Sequence, residues 1–264
     1  MPEVITDAEL VNQFAQKMME EPEKVIETRA PSESEIELPG GFIEQNGNVL
    51  TTADVKELTG ADEEAIQKAG STGKALNVLL QRGLVKIGSR DITKDDLDSL
   101  LSGDRDAILI GIRRVTFGDE LGLRVRCVNC SDEQDISVHL IKDVPLKKLQ
   151  DPIKDRVWEV TTKKGVAKVT LPTGFTQKKI MENNDKTSAE LNTLILSSCL
   201  LSIDGKPSAG ASTVLSLGMA DRQTIIDSIL ERNPGPRLGE VKKDCEACGE
   251  SIELPLGLLD LFRI

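Results

Sequence analysis

Four of the five cysteines stand in two pairs of identical spacing, Cys127-Val-Asn-Cys130 and Cys245-Glu-Ala-Cys248. Zinc takes four thiolates in a tetrahedron, each sulfur about 2.3 Å from the metal, and one C-x-x-C turn can direct two sulfurs at a single ion. Two such turns complete a closed site with no open position for water, which is the structural rather than the catalytic form. The spacing therefore predicts structural Zn²⁺ as cofactor, with Cys127, Cys130, Cys245 and Cys248 as its ligands.

The cysteines allow two other interpretations, a pair of disulfides or a redox C-x-x-C. The start of the chain, Met1 to Asp7, lacks the basic and apolar segments of a secretory signal. That indicates a reducing compartment, where paired cysteines more often bind metal, and a redox motif needs only one pair. The fifth cysteine, Cys199, falls with Leu191 and Ile195 on the apolar side of a predicted helix, so we expect it in the core.

Alternating apolar residues predict strands beside both cysteine pairs. The segment from Leu121 to Arg126 runs into the first pair, that from Asp135 to Ile141 leaves it, and Ile252 follows the second pair. The first pair would form the turn of a hairpin, as in a zinc ribbon. The predicted fold class is α+β, with helices plus antiparallel hairpins, and with C-terminal and central strands clipped together by a four-cysteine zinc-ribbon-like site.

Composition and charge narrow the class of protein. With 264 residues, of which 39% are hydrophobic, the chain can bury a core as one large or two small domains. No apolar run approaches the roughly 18 residues of a membrane helix, so we predict no membrane partner. Five Phe, one Trp and no Tyr offer few stacking surfaces for single-stranded nucleic acid, and a net charge of −11 disfavours phosphate backbones. We therefore predict no nucleic-acid partner.

Residues 1–35 are predicted to form an N-terminal amphipathic helical arm and an acidic linker. Thr6 and Glu9 have the spacing of a capping box, the apolar residues after them recur on one helix face, and Pro22 ends the pattern. Because so short a helix is marginal in water, its apolar stripe should dock on the chain's own body or on a neighbouring subunit. The partner-binding residues assigned to it are Leu10, Val11, Phe14 and Met18.

The body is predicted to span residues 36–264, with a helical insertion at about 175–236. Asn46-Gly47 is expected to form a type I′ hairpin turn, because both residues tolerate positive φ. Asp104 is expected to cap a helix that is buried on more than one side. The charged residues of that helix are interpreted as a face for solvent or a subunit: Arg105, Asp106, Arg113 and Arg114.

The chain finishes in a dense apolar tail from Ile252 to Phe262. Such a segment should not stay free in water, so it should pack on the core or on another subunit. The partner-binding residues assigned to this tail are Leu258, Leu261 and Phe262.

No catalytic constellation stands out in the sequence. His139 is the single histidine and lies in a predicted strand, where we interpret it as packed rather than as a ligand. The segment from Gly70 to Lys74 resembles a phosphate loop only faintly, because its glycine spacing is wrong and Ala75 stands where Ser or Thr is needed. We predict that the protein is not an enzyme.

Several segments together resemble a known family. They are Ile36-Glu-Leu-Pro-Gly-Gly-Phe42, the stretch from Val55 to Glu64, and the helix from Asp104 to Gly118 that runs into Leu-Arg-Val-Arg-Cys-Val-Asn-Cys130. The sequence and order of these segments resemble those of base-plate and hub-assembly proteins encoded in the tail gene clusters of contractile-tailed bacteriophages. The resemblance covers roughly residues 36–141.

The resemblance implies a structural component of a phage tail base plate, located in the virion and assembled in the host cytoplasm. Its partners would be other phage tail and base-plate proteins of a multi-subunit assembly. The N-terminal arm and the apolar C-terminal segment of the chain would hold them. A tail or hub assembly chaperone absent from the mature virion is an alternative. A zinc-ribbon adaptor for nucleic acid and an unrecognised hydrolase are alternatives from other classes. Metal binding is predicted from the cysteine spacing and not from the resemblance.

Overall fold

The computed structural model describes residues 34–183, 185–254, 256–258 and 260–262. The predicted arm, with Leu10, Val11, Phe14 and Met18, lies outside the described residues. Across the described ranges the chain forms eight α-helices and fourteen strands, and every strand pair is antiparallel. The predicted α+β class is therefore confirmed. None of the helices in these ranges is long and apolar enough to cross a membrane.

The first part of the body is a four-stranded sheet covered by helices. The strands, in the spatial order β1-β2-β3-β4, are β1 Glu35–Ile43, β2 Val49–Val55, β3 Leu84–Ile87 and β4 Arg90–Asp91. The helices are α1 Gly60–Gln67, α2 Thr72–Gly83, α3 Lys94–Ser99 and α4 Ser102–Phe117. Helix α3 begins at a capping box, because Thr93 Oγ1 accepts from the N–H of Asp96, whose carboxylate accepts from the N–H of Thr93. Apolar side chains of β1, β2, β3 and the four helices form a first core.

The turn between β1 and β2 is not the type I′ turn that we predicted. Gly47 N donates to Glu44 O at 2.9 Å, and Glu44 N donates to Asn48 O at the same distance. Only Gly47 takes a left-handed conformation, with φ +87°, while the Asn46 side chain accepts from Asn48 N at 2.8 Å. The turn is a type I turn followed by one left-handed glycine, because a longer loop needs only a single residue with positive φ.

Two arginines of α4 are buried, so the predicted charged face of this helix is wrong. Arg105 is 1% exposed, and its guanidinium donates to Leu97 O at 2.7 Å, Asn77 Oδ1 at 2.5 Å and Gln177 Oε1 at 2.8 Å. Arg113 is also buried and donates to backbone carbonyls at the start of the next hairpin. These acceptors replace water, which lets the charges remain in the interior.

Asp104 is not the cap of α4. The helix begins at Ser102 with Leu101 as its N-cap, and Asp104 lies in the first turn with no exposed surface. Its Oδ1 accepts from the N–H of Gly40 at 2.6 Å, whereas no described residue bonds its Oδ2. Burial raises the pKa of Asp104 to about 6, although the Gly40 amide and the charge of Arg156 oppose the shift. Asp104 therefore connects α4 to Gly40, in the irregular stretch of β1 where the strand register shifts.

A second sheet and a second core follow. The strands, in the order β11-β10-β9-β8, are β8 Val157–Thr162, β9 Gly165–Thr170, β10 Leu200–Ile203 and β11 Lys206–Pro207. The helices beside it are α5 Gly174–Met181, α6 Ser188–Cys199, α7 Ala211–Leu215 and α8 Met219–Arg232. The predicted insertion at 175–236 is thus only partly helical, because β10 and β11 belong to the sheet. Cys199 is fully buried in this second core, as expected, and burial raises its thiol pKa to about 12.

Three two-stranded sheets complete the described fold. They are β5 Glu120–Arg126 with β6 Glu133–His139, β7 Leu146–Lys147 with β12 Gly235–Pro236, and β13 Val241–Asp244 with β14 Ser251–Leu254. Short 3₁₀ turns lie at Lys154–Arg156 and Leu238–Glu240. The hairpins β5–β6 and β13–β14 share a third core, to which Cys127 and Cys245 contribute. This core brings the middle and the end of the body together.

Candidate metal centre

The two cysteine pairs form turns of the same geometry. In the first turn Ser131 N donates to Cys127 O at 2.9 Å, and in the second Gly249 N donates to Cys245 O at 2.8 Å. The residue after the second cysteine is left-handed in both, with φ +63° at Ser131 and +72° at Gly249. Both turns therefore have the same knuckle shape, which turns the two sulfurs of each pair toward one point.

The four sulfurs converge between the two hairpins. All four Sγ atoms lie within 4.8 Å of one another, with Cys127 and Cys248 3.8 Å apart and Cys130 and Cys245 3.7 Å apart. Four sulfurs bound at about 2.3 Å from a central ion would stand about 3.8 Å apart along the edges of the tetrahedron. A disulfide would need about 2.05 Å, and all four cysteines are free thiols. The cluster could therefore hold a metal ion.

Amide side chains hydrogen-bond to two of the sulfurs. Gln134 Nε2 donates to Cys245 Sγ at 3.1 Å, and Gln134 Oε1 accepts from Glu246 N at 3.0 Å, so this side chain is fixed from both ends. Asn129 Nδ2 lies 3.6 Å from Cys248 Sγ. Donors of this kind orient a thiolate ligand and stabilise its negative charge.

Gln134 is a site residue that the sequence analysis missed. It is buried and shares the inward face of β6 with Ile136 and Val138. An uncharged amide at an inward position, next to a cysteine turn, is the signal that would have pointed to it. Buried amides need partners, and here the partners are a sulfur and a backbone N–H.

The thiols of the cluster ionise unequally. Burial would raise the pKa of Cys245, but N–H donors, including those of Cys248 and Ala247, outweigh it and lower the pKa to about 6. At Cys130 an N–H of Asp132 lowers the pKa, yet burial and the neighbouring thiols raise it to about 12. Like charges packed so closely repel one another, so all four thiolates coexist only when a cation compensates them. A divalent ion supplies that compensation.

The cluster has the composition of a closed site. No histidine or carboxylate joins it in the described part of the chain, and Cys127 and Cys245 are buried at its inner side. Cys130 and Cys245 are 115 residues apart in sequence, so one bound ion would connect distant parts of the body. Such an arrangement stabilises a fold and leaves no ligand position for a substrate.

The other residues singled out from the sequence do not join the cluster. His139 ends β6, where its Nδ1 accepts from Ile141 N at 3.4 Å. The segment from Gly70 to Lys74 forms the start of α2, with Ser71 as the N-cap.

The residues assigned to partner binding in the apolar C-terminal segment contact their own chain. Leu261 is 1% exposed in the third core, which leaves it no surface for a neighbour in this conformation. Leu258 and Phe262 are partly buried against both the first and the third core. The dense tail therefore packs on the body, and Leu258 and Phe262 keep some exposed surface.

Comparison with known proteins adds a family to this geometry. No curated protein and no solved structure is significantly similar to the chain. The family described as T4 bacteriophage base plate protein matches residues 32–263. The match includes both cysteine pairs and extends well beyond the segment of about 36–141 that carried the resemblance. The chain therefore belongs to the T4 bacteriophage base plate protein family.

Proposed function

We propose that the protein is a non-enzymatic structural component of the tail base plate of a contractile-tailed phage. Membership of the base-plate family over residues 32–263 carries this proposal. The body, residues 36–264, acts as a scaffold that presents fixed surfaces to other tail proteins. It is assembled in the host cytoplasm and remains in the virion.

A structural Zn²⁺ ion at Cys127, Cys130, Cys245 and Cys248 is part of the proposal. Four thiolates in a tetrahedron favour zinc or iron–sulfur chemistry over hard cations such as Mg²⁺. The sulfur separations of 3.7 and 3.8 Å support a single ion at the centre. Elemental analysis of the purified protein should find one zinc per chain, and iron in its place would overturn the assignment.

Docking is proposed at both termini. Residues 1–35 would act as the arm and linker, with neighbours contacting Leu10, Val11, Phe14 and Met18. At the other end Leu258 and Phe262 remain candidates because they are only partly buried, whereas Leu261 is withdrawn because it lies in the chain's own core. Apolar anchors surrounded by charged residues are the usual arrangement of such contacts.

Quantitative mass spectrometry of purified mature particles tests the proposed function. Peptides of this chain at a fixed ratio to a known tail protein would support a built-in component, and that ratio would give its copy number. A chain that is abundant in the producing cell but absent from particles would be an assembly chaperone, which would overturn the structural role. Salt-dependent retention on DNA or RNA would instead indicate a nucleic-acid adaptor.

A further inference from the structure

Gln134 connects two turns that lie far apart in the sequence. It belongs to β6, the strand after the first cysteine turn, and its side chain is buried. Its Nε2 donates to Cys245 Sγ and its Oε1 accepts from Glu246 N, over sequence separations of 111 and 112 residues. Both ends of one amide therefore bind the second cysteine turn, and neither bond needs a metal ion.

The four cysteines divide into a buried half and an exposed half, and each turn contributes one sulfur to each half. Cys127 and Cys245 are each 2% exposed and pack in the third core with apolar residues of both hairpins. Cys130 and Cys248 are exposed. The chain's own packing therefore fixes the inner pair of sulfurs, whereas the outer pair lies at the surface.

The two amide side chains beside the cluster differ in the same way. Gln134 is buried, whereas Asn129 is exposed and its Nδ2 lies 3.6 Å from Cys248 Sγ. Water can replace an exposed donor, but the loss of a buried donor leaves its partner without that bond. Gln134 should therefore contribute more than Asn129 to holding its sulfur.

We infer that Gln134 is a positioning residue of the metal centre, which joins the two cysteine turns before a metal ion binds and holds Cys245 as a ligand of the inner half. Cys130 and Cys248 are then the ligands that close last and open first. The inference rests on the proposed structural zinc ion, which it deepens by assigning an order to the ligands. A side chain that already joins the turns reduces the ordering that metal binding must supply, and a donor to a bound thiolate slows its release.

The rate of zinc release from the full-length chain tests the role of Gln134. The chain is loaded with one Zn²⁺, and transfer of zinc to an excess of a coloured chelator is followed by absorbance. Gln134→Met keeps a long unbranched side chain in the core without the amide, and it should release zinc at least about 10-fold faster. Asn129→Ala is the matched control, because it removes the exposed amide beside Cys248, and it should change the rate by less than about 2-fold.

A second variant separates the two ends of the amide. Gln134→Glu keeps an oxygen that can accept from Glu246 N, but it replaces the donor to Cys245 Sγ with an oxygen. A purely structural role needs only the bond to Glu246, and it predicts the natural release rate for this variant. We expect release at least as fast as from Gln134→Met, because an acceptor then faces the sulfur.

Co²⁺ in place of Zn²⁺ gives a spectroscopic readout of the same bond. A donor to a thiolate lowers the energy of its electrons, so loss of the donor shifts the thiolate-to-cobalt charge-transfer absorption to longer wavelength. Gln134→Met and Gln134→Glu should show this shift, and Asn129→Ala should show much less of it. Fluorescence of Trp158, the single tryptophan, which lies in the second core, checks that each variant is folded.

The metal-free protein tests the order of the ligands. In the natural chain without metal, the Glu246 N–H should remain protected from hydrogen exchange, and Gln134→Met should remove this protection. Iodoacetamide should modify the two exposed cysteines of the cluster before the two buried ones, which mass spectrometry of peptides would detect. Both results are expected of turns that meet without the ion.

Four results would overturn the inference. The natural rate of zinc release from Gln134→Glu, or equal rates from Gln134→Met and Asn129→Ala, would show that the amide of Gln134 does not position the site. An unprotected Glu246 N–H or uniform alkylation in the metal-free chain would show that the turns meet only around the ion. A natural chain without zinc would instead contradict the proposed metal, and elemental analysis detects that case before any variant is measured.

Discussion

Replacing Cys245 with serine should remove the metal and the clip that it forms. Serine is similar in size and can still accept a hydrogen bond from Gln134, so the change acts mainly on metal binding. Cys245 is the natural choice because N–H donors lower its pKa to about 6, which favours the thiolate form that a metal ion binds. Metal content should fall from one ion per chain to none.

The expected loss of stability follows from the length of chain that the ion closes. Cys130 and Cys245 are 115 residues apart, and a cross-link over about 100 residues restricts the unfolded chain by roughly 4–5 kcal/mol in the loop-entropy model. The free energy of unfolding should therefore fall by about 5 kcal/mol in Cys245→Ser. Domains of this kind have total stabilities of only about 5–15 kcal/mol, so the loss should be easy to measure.

Urea denaturation with and without a chelator, combined with elemental analysis, checks this prediction. The chelator should destabilise the natural protein by about the same amount as Cys245→Ser and should have no effect on that variant. Cys199→Ala is the control, because Cys199 is fully buried in the second core and should affect packing but not metal. Cys245→Ser protein that keeps one ion per chain and full stability would refute the reasoning.

Three further predictions concern the backbone and a buried acid. Ser131→Gly should stabilise the metal-loaded protein by about 1 kcal/mol, and Gly249→Ala should destabilise it by a similar amount. The reason is that φ is +63° and +72° at these positions, a left-handed conformation that favours glycine. Urea midpoints in the opposite order would contradict this. Gly103→Ala should lower the free energy of unfolding by about 3 kcal/mol or more, because the new Cβ would lie 1.6 Å from Pro234 O. A thermal melt like that of the natural protein would exclude such a clash. The pKa of Asp104 is raised from 3.8 to about 6, so the folded protein holds this proton more tightly than the unfolded chain does. The stability that the bound proton contributes is present at low pH and is lost as the pH rises from about 4 to about 6. The stability of Asp104→Asn relative to the natural protein should therefore increase by about 2–3 kcal/mol between pH 4 and 7 in denaturation curves, and a pH-independent difference would count against it.

The two cysteine turns were predictable from the sequence because a C-x-x-C turn is a local structure. Two residues between the cysteines fix the knuckle, and alternating apolar residues predict the strands that carry it. Local spacing therefore placed the two strands beside the first cysteine pair within two residues of β5 and β6.

The burial of Arg105 could not be predicted by such reasoning. Its acceptors, Leu97 O, Asn77 Oδ1 and Gln177 Oε1, come from three separate elements. On a helical pattern alone, a charged residue is assigned to solvent, because burying an unpaired charge is costly. Only the assembled fold supplies the partners that remove this cost.

The sequence by itself determined the two cysteine pairs and their spacing, the α+β class and the acidic character of the chain. The tertiary structure alone decided that Gln134 hydrogen-bonds one of the sulfurs of the four-cysteine cluster. It also decided that Leu261 packs on its own chain while Phe117 stays exposed beside an apolar groove. The physical reason is distance along the chain: spacing and periodicity act over a few residues, whereas convergence and burial depend on contacts between segments more than a hundred residues apart.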